Sequence, residues 1–143
     1  MKVNWLLATS TGLLNWILIF VVLSIVMFIP TVGNYTNYLS FVFVPILAAI
    51  CAFLYFRRTD GTILHGVILG VYYLIIGLIL DLIVTIPLFV KSYSFFSDWT
   101  LWVGYAETIF ACVILAWLFR QKTVIIAEPK EVEVIEEIDI IEE

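Results

Sequence analysis

Residues 62–89 read TILHGVILGVYYLIIGLILDLIVTIPLF, an apolar run whose only formal charge is Asp81. A helix crosses the hydrocarbon core with roughly 20 apolar residues, so this run is long enough to span a bilayer and to tilt within it. Its small residues are ordered. At 100° per residue, Gly66, Gly70, Gly77 and Asp81 fall within about 60° of one another. Gly66-Val67-Ile68-Leu69-Gly70 is a GxxxG pattern, which lets two membrane helices bring their backbones close. The stripe predicts a packed interior face, set against Gly104, Thr108 and Ala111 of the following span.

Three further stretches have the same character, over about 6–29, 38–56 and 100–119. The chain has 143 residues, 64% hydrophobic and 13% charged. Soluble domains carry about 45–50% apolar and about 25% charged residues, so a water-soluble globule is excluded. Pro30, Gly33 and Asn34 break the chain after the first span, Arg57-Arg58-Thr59-Asp60-Gly61 after the second, and Lys91 to Asp98 after the third. Short connections predict sequential helices as antiparallel neighbours. The fold expected is an all-α integral membrane four-helix bundle of up-down topology over residues 1–122, followed by an acidic tail over 123–143.

Charge sets the orientation. Lys2, Arg57, Arg58, Arg120 and Lys122 fall on one side of such a bundle, and only Lys91 on the other. The positive-inside rule therefore predicts a multi-pass protein of the cell membrane with both termini cytoplasmic. The first span reads as a retained anchor, because Phe28-Ile29-Pro30 is not a small-residue cleavage site. Asn34-Tyr35-Thr36 matches a glycosylation sequon, but it lies too close to the bilayer for a glycosylating enzyme to reach.

The chemistry-bearing residues are few. Cys51 and Cys112 lie inside spans and have no metal-ligand spacing, so buried free thiols are expected. His65 is the sole histidine. It predicts an interfacial hydrogen-bonding side chain, since one imidazole cannot supply two axial haem ligands. Asn15, mid-span, is expected to bond toward Tyr72 or Tyr73. No phosphate loop, nucleophile elbow or zinc motif occurs, so neither enzymatic activity, nor a metal, nor a cofactor is expected. Leu23 to Pro30 also lines up with Leu80 to Pro87 at an offset of 57 residues, the register a duplicated hairpin would produce.

Asp81 and Glu107 are the only acids within spans. Each costs at least about 2.5–3.5 kcal/mol on insertion scales, so such an acid normally faces the bundle interior and has a partner. Counted from the helix ends, both lie about two turns in, at the depth of Ser24 on the first span and Pro45 on the second. A polar pocket of Asp81, Glu107 and Ser24 is expected there. Two carboxyls a few Å apart would share one proton, which suits proton or cation coupling. Equally, Asp81 bonded to Glu107, Ser24 or a tyrosine hydroxyl would lock helices together.

From Glu128 to Glu143 the chain has eight acids and one lysine, with Val and Ile interspersed. Val132 and Val134 alternate as in a strand, whereas Val134, Ile138 and Ile141 keep helical spacing, so periodicity allows both. Such a segment has no core of its own and suits contact with a soluble partner. The acidic balance leaves no nucleic-acid footprint.

The stretch 61–120, with Gly66, Gly70 and Gly77, then Leu80-Asp81-Leu82 and Pro87, resembles small uncharacterised four-helix inner-membrane proteins of prokaryotes. The resemblance implies a membrane bundle and no particular activity. Two functions fit the residues. One is a non-enzymatic membrane protein that binds or organises partners through its bundle and tail, with the lipid bilayer, a soluble protein or a second copy of the chain as partners. The other is a small proton- or cation-coupled transporter or ligand-binding protein built on Asp81 and Glu107.

Overall fold

The structure is a computed structural model that describes residues 3–29, 36–59 and 61–142, with side chains for 3–29, 38–59 and 61–120. The breaking residues Pro30 to Asn34, Asn34 and Tyr35 of the sequon, and the side chains of the tail lie outside the described residues. The described chain is helical: α1 spans Trp5–Phe28, α2 Thr36–Phe56 and α3 Ile63–Leu80. A π-helical segment, Asp81–Val90, continues α3, a 3₁₀ turn covers Tyr93–Ser97, and α4 runs over Trp99–Glu142. Four of these stretches are long and apolar enough to cross a membrane: Trp5–Phe28, Tyr38–Phe56, Ile63–Val90 and Trp99–Arg120.

Local chemistry starts the helices. Asn4 Oδ1 accepts from the Leu7 N–H at 3.2 Å, and Thr62 Oγ1 accepts from the His65 N–H at 3.2 Å, so each side chain satisfies one free donor of a first turn. The helices are apolar on all sides, and large residues such as Leu6, Ile25, Ile46 and Phe110 stay exposed on the outside of the bundle. A bundle with an apolar exterior suits lipid as its solvent.

The helices form a square. Among the described residues, α1 packs on α2 and α3, and α4 packs on α2 and α3. The expectation that sequential helices are neighbours therefore holds for α1/α2 and α3/α4 and fails for α2/α3, which face each other across a diagonal. Side-chain register gives the directions. Trp5 meets Tyr72, Trp16 meets Asp81 and Phe20 meets Phe89, so α1 and α3 run parallel. Phe41 meets Trp99 and Phe53 meets Phe119, so α2 and α4 also run parallel. Along α3 and α4 the contacts run in opposite directions.

Small residues bring α3 against α4. A Cβ built on Gly66 would stand 2.8 Å from the Cys112 carbonyl oxygen and from Val113 Cα, and one on Gly70 would stand 2.7 Å from Ile109 Cα. One on Gly77 would meet the Tyr105 ring at 3.0 Å. The stripe thus faces the expected helix, where the nearest atoms belong to Tyr105, Ile109, Cys112, Val113 and Ala116. Gly104 looks the other way, with Val44 of α2 its nearest neighbour at 3.8 Å. Ala8, Cys51, Ala52, Tyr55, Leu69, Tyr73 and Cys112 form the centre of the core, and both cysteines are free and buried.

The long third span is not uniform. Within the π segment, Asp81, Thr85 and Ile86 are buried, a spacing of four and five residues that suits i→i+5 bonding and its wider turn. Pro87, inside the segment, has no N–H to donate. The segment closes at Lys91, left-handed with φ 54°, whose N–H bonds the Ile86 carbonyl at 2.7 Å. Ser24 to Phe28, the counterpart of Asp81 to Thr85 in the duplication register, is α-helical, so the two hairpins differ in backbone where their sequences align.

Candidate functional site: two separated carboxyls

Asp81 begins the π segment and is 9% exposed. Its Oδ1 accepts from Trp16 Nε1 at 2.9 Å and from Thr85 Oγ1 at 2.7 Å. Its Oδ2 accepts from the Tyr105 hydroxyl at 2.5 Å. Three helices therefore meet at one carboxyl: α1 through Trp16, the third span through Asp81 and Thr85, and α4 through Tyr105. Trp16 stacks on Phe20 with ring centroids 5.1 Å apart, and Phe20 meets Phe89 edge-on, so rings cover the network beside Trp16. Three converging donors satisfy a buried carboxyl group without any external ligand.

Glu107 is placed elsewhere. It lines a cleft of about 290 Å³ between α2 and α4, with Pro45, Ile46 and Ala49 on one wall and Phe110, Ala111, Ile114 and Leu115 on the other. The cleft opens sideways, since Ile46 is 51% and Phe110 66% exposed on its rim. Glu107 Oε2 is buried and has no hydrogen-bond partner. The expected Asp81–Glu107–Ser24 pocket is therefore not assembled. Asp81 bonds Trp16, Thr85 and Tyr105, Glu107 faces α2, and Ser24, half-buried on α1, takes no part in the Asp81 network. Equal depth put the two carboxyls in one layer, while the helical rotation of α4 sends them to different flanks.

Of the partners weighed for Asp81, the tyrosine hydroxyl is the one in place. Thr85 was legible as the residue one turn beyond Asp81. Trp16 and Tyr105 carried no sequence signal beyond lying at the right depth. Asn15 does not bond Tyr72, whose hydroxyl instead pairs with Thr9 Oγ1 at 2.9 Å, and Asn15 Oδ1 is buried without a partner. His65, in the first turn of α3, is buried, with Nδ1 3.3 Å from Thr62 Oγ1. Among the described residues, no three His, Cys, Asp or Glu side chains converge as a metal site requires.

No protein-family model, curated protein or solved structure matches this chain.

Proposed function

We propose that this chain is a non-enzymatic multi-pass protein of the cell membrane, with both termini cytoplasmic, that binds a partner within the bilayer on the α2–α4 flank of its bundle. The observation that carries this reading is Glu107: an acid at membrane depth, in an open apolar cleft, with one carboxyl oxygen buried and unpartnered. Asp81 is accounted for by its three donors, so its insertion cost returns as a tie between helices. Glu107 has no such return among the described residues, and an intramembrane acid without a structural partner points to a binding role. The separation of the two carboxyls favours binding over a proton relay between them. The orientation rests on the basic residues; Arg57 and Arg58 come together with Arg120 at one end of the bundle, where Gly61 packs against Ala116, Phe119 and the Arg120 backbone. The acidic segment 123–143 adds a second contact, for a soluble partner on the cytoplasmic side.

Photo-crosslinking in intact membranes tests the reading. A photoreactive side chain at Ile46, on the cleft rim, is expected to give a discrete adduct that Glu107→Gln abolishes. The same group at Ile75, exposed on α3, is expected to give only bulk-lipid adducts. Identical adducts at both positions, indifferent to Glu107, would remove the proposal.

A further inference from the structure

The bundle end away from Arg57, Arg58 and Arg120 is closed by a short aromatic connection. From Trp99 to Arg120, α4 runs for 22 residues, about 33 Å of helix, against a hydrocarbon core of about 30 Å. With Arg120 at one boundary of that core, Trp99 stands at the other. The 3₁₀ turn Tyr93–Ser97 lies at the same level, because Trp102, one turn inside α4, donates its indole N–H to the Phe96 carbonyl at 2.9 Å. The connection is thus folded down onto the first turn of α4. Its two edges differ. In a 3₁₀ helix residues three apart eclipse one another, so Tyr93 stacks over Phe96 and Ser94 over Ser97, an aromatic edge beside a serine edge. Tyr93 is 74% exposed, and Leu88, Phe89 and Trp99 on either side of the turn are exposed as well. The backbone supplies its own partners. The N–H groups of Lys91, Phe95 and Asp98 bond the carbonyls of Ile86, Ser92 and Phe95, and those of Ser94 and Thr100 bond Ser92 Oγ at 3.2 Å and Asp98 Oδ1 at 2.9 Å. A backbone satisfied in this way tolerates a water-poor boundary.

We infer that the connection from Lys91 to Asp98 is a lipid-binding surface that lies in the headgroup layer of the bilayer, its Tyr93–Phe96 edge toward the acyl chains and its Ser94–Ser97 edge toward water. The inference rests on the reading of the chain as a multi-pass membrane protein and is independent of the α2–α4 flank. Amphipathic rings such as those of Tyr93, Trp99 and Trp102 favour the headgroup level, and a short segment with one apolar edge lies in the plane of that layer. The partner is the bilayer itself. The rings are held where the hydrocarbon begins, so a soluble protein would have to displace lipid to reach them. The serine edge, the one offered to water, has no aromatic anchor of the kind protein interfaces are built on.

Spin labels at Tyr93→Cys, Ser97→Cys and Ile75→Cys, in the full-length protein reconstituted into phosphatidylcholine vesicles, test the inference; Cys51 and Cys112 are buried and stay unlabelled. Power saturation compares collisions with oxygen, which partitions into lipid, and with a neutral nickel chelate, which stays in water. The oxygen-to-chelate ratio is expected to be highest at Ile75, exposed on α3, lower at Tyr93 and lowest at Ser97. A ratio at Tyr93 no higher than at Ser97 puts the aromatic edge in water and overturns the inference. A Tyr93 label shielded from both reagents is covered by protein and overturns it too. In either case a high ratio at Ile75 leaves the membrane reading standing, whereas free chelate access at Ile75 brings both down. Trp102→Phe keeps a ring and loses the N–H, so it is expected to lower the Tyr93 ratio toward the Ser97 value. An unchanged ratio in that variant overturns the depth assignment on which the inference stands.

Discussion

Tyr105 donates its hydroxyl hydrogen to Asp81 Oδ2 at 2.5 Å, while Glu107, two residues further along α4, stands about 200° round the same helix. That rotation divides the two intramembrane acids between two roles. Asp81 is enclosed by Trp16, Thr85 and Tyr105 and ties α1, the third span and α4 together. Glu107 faces α2 across an open cleft.

The two acids should therefore respond to substitution with opposite signs. Asp81→Leu strands the Trp16, Thr85 and Tyr105 donors and is expected to cost about 1–3 kcal/mol. Asp81→Asn keeps one acceptor oxygen but adds a donor where three already converge, so it should destabilise by a smaller amount. Glu107→Leu removes an acid that has no structural partner and should leave stability unchanged or raise it. Reversible unfolding in mixed micelles measures all three, and a loss at Glu107→Leu equal to that at Asp81→Leu would contradict the division.

The glycines offer a second contrast. Gly70→Ala puts a methyl group 2.7 Å from Ile109 Cα, where only a backbone shift makes room. It is expected to cost about 1–3 kcal/mol as overpacking does. Gly104→Ala meets only Val44, at 3.8 Å, and should change stability by less than about 0.5 kcal/mol. Melting temperatures of the two variants, compared side by side, decide the matter.

Orientation can be read by labelling. A cysteine at Ser94, exposed in the 3₁₀ turn, should react with an impermeant maleimide on intact cells. A cysteine at Thr59 should react only after permeabilisation. Cys51 and Cys112, buried in the bundle, should stay silent in both conditions. The reverse pattern would invert the assignment made from the basic residues.

Removal of residues 128–143 should leave the bundle inserted and its melting temperature within a few degrees of the full chain. Among the residues with described side chains, the contacts that hold α1 to α4 together lie within Trp5–Arg120, and a segment without a core contributes little to stability. Circular dichroism of the truncated protein, with crosslinking at Ile46 retained, separates a tail that recruits from one that holds the fold.

How much was legible in advance follows from the geometry of a helix in a bilayer. Run length, polar breaks and the segregation of Lys and Arg are properties of the chain in order, and they specify four spans and the depth of each residue. Gly66, Gly70 and Gly77 could be assigned to the α4 interface because a stripe of small residues has meaning on a single helix. Rotation about the axis is different. It depends on which neighbour a helix meets, and the square in which α2 and α3 sit diagonally is chosen by the packing of all four helices together. Depth alone placed Asp81 beside Glu107; rotation gave Asp81 to Trp16 and Tyr105, left Glu107 in the α2–α4 cleft, and turned Gly104 toward Val44. The π segment has the same origin: its wider turn keeps Asp81, Thr85 and Ile86 buried together, a demand made by the neighbouring helices. The sequence determined which runs are long and apolar enough to cross a membrane and how far along each run its polar residues stand, and the tertiary structure decided what each polar side chain faces.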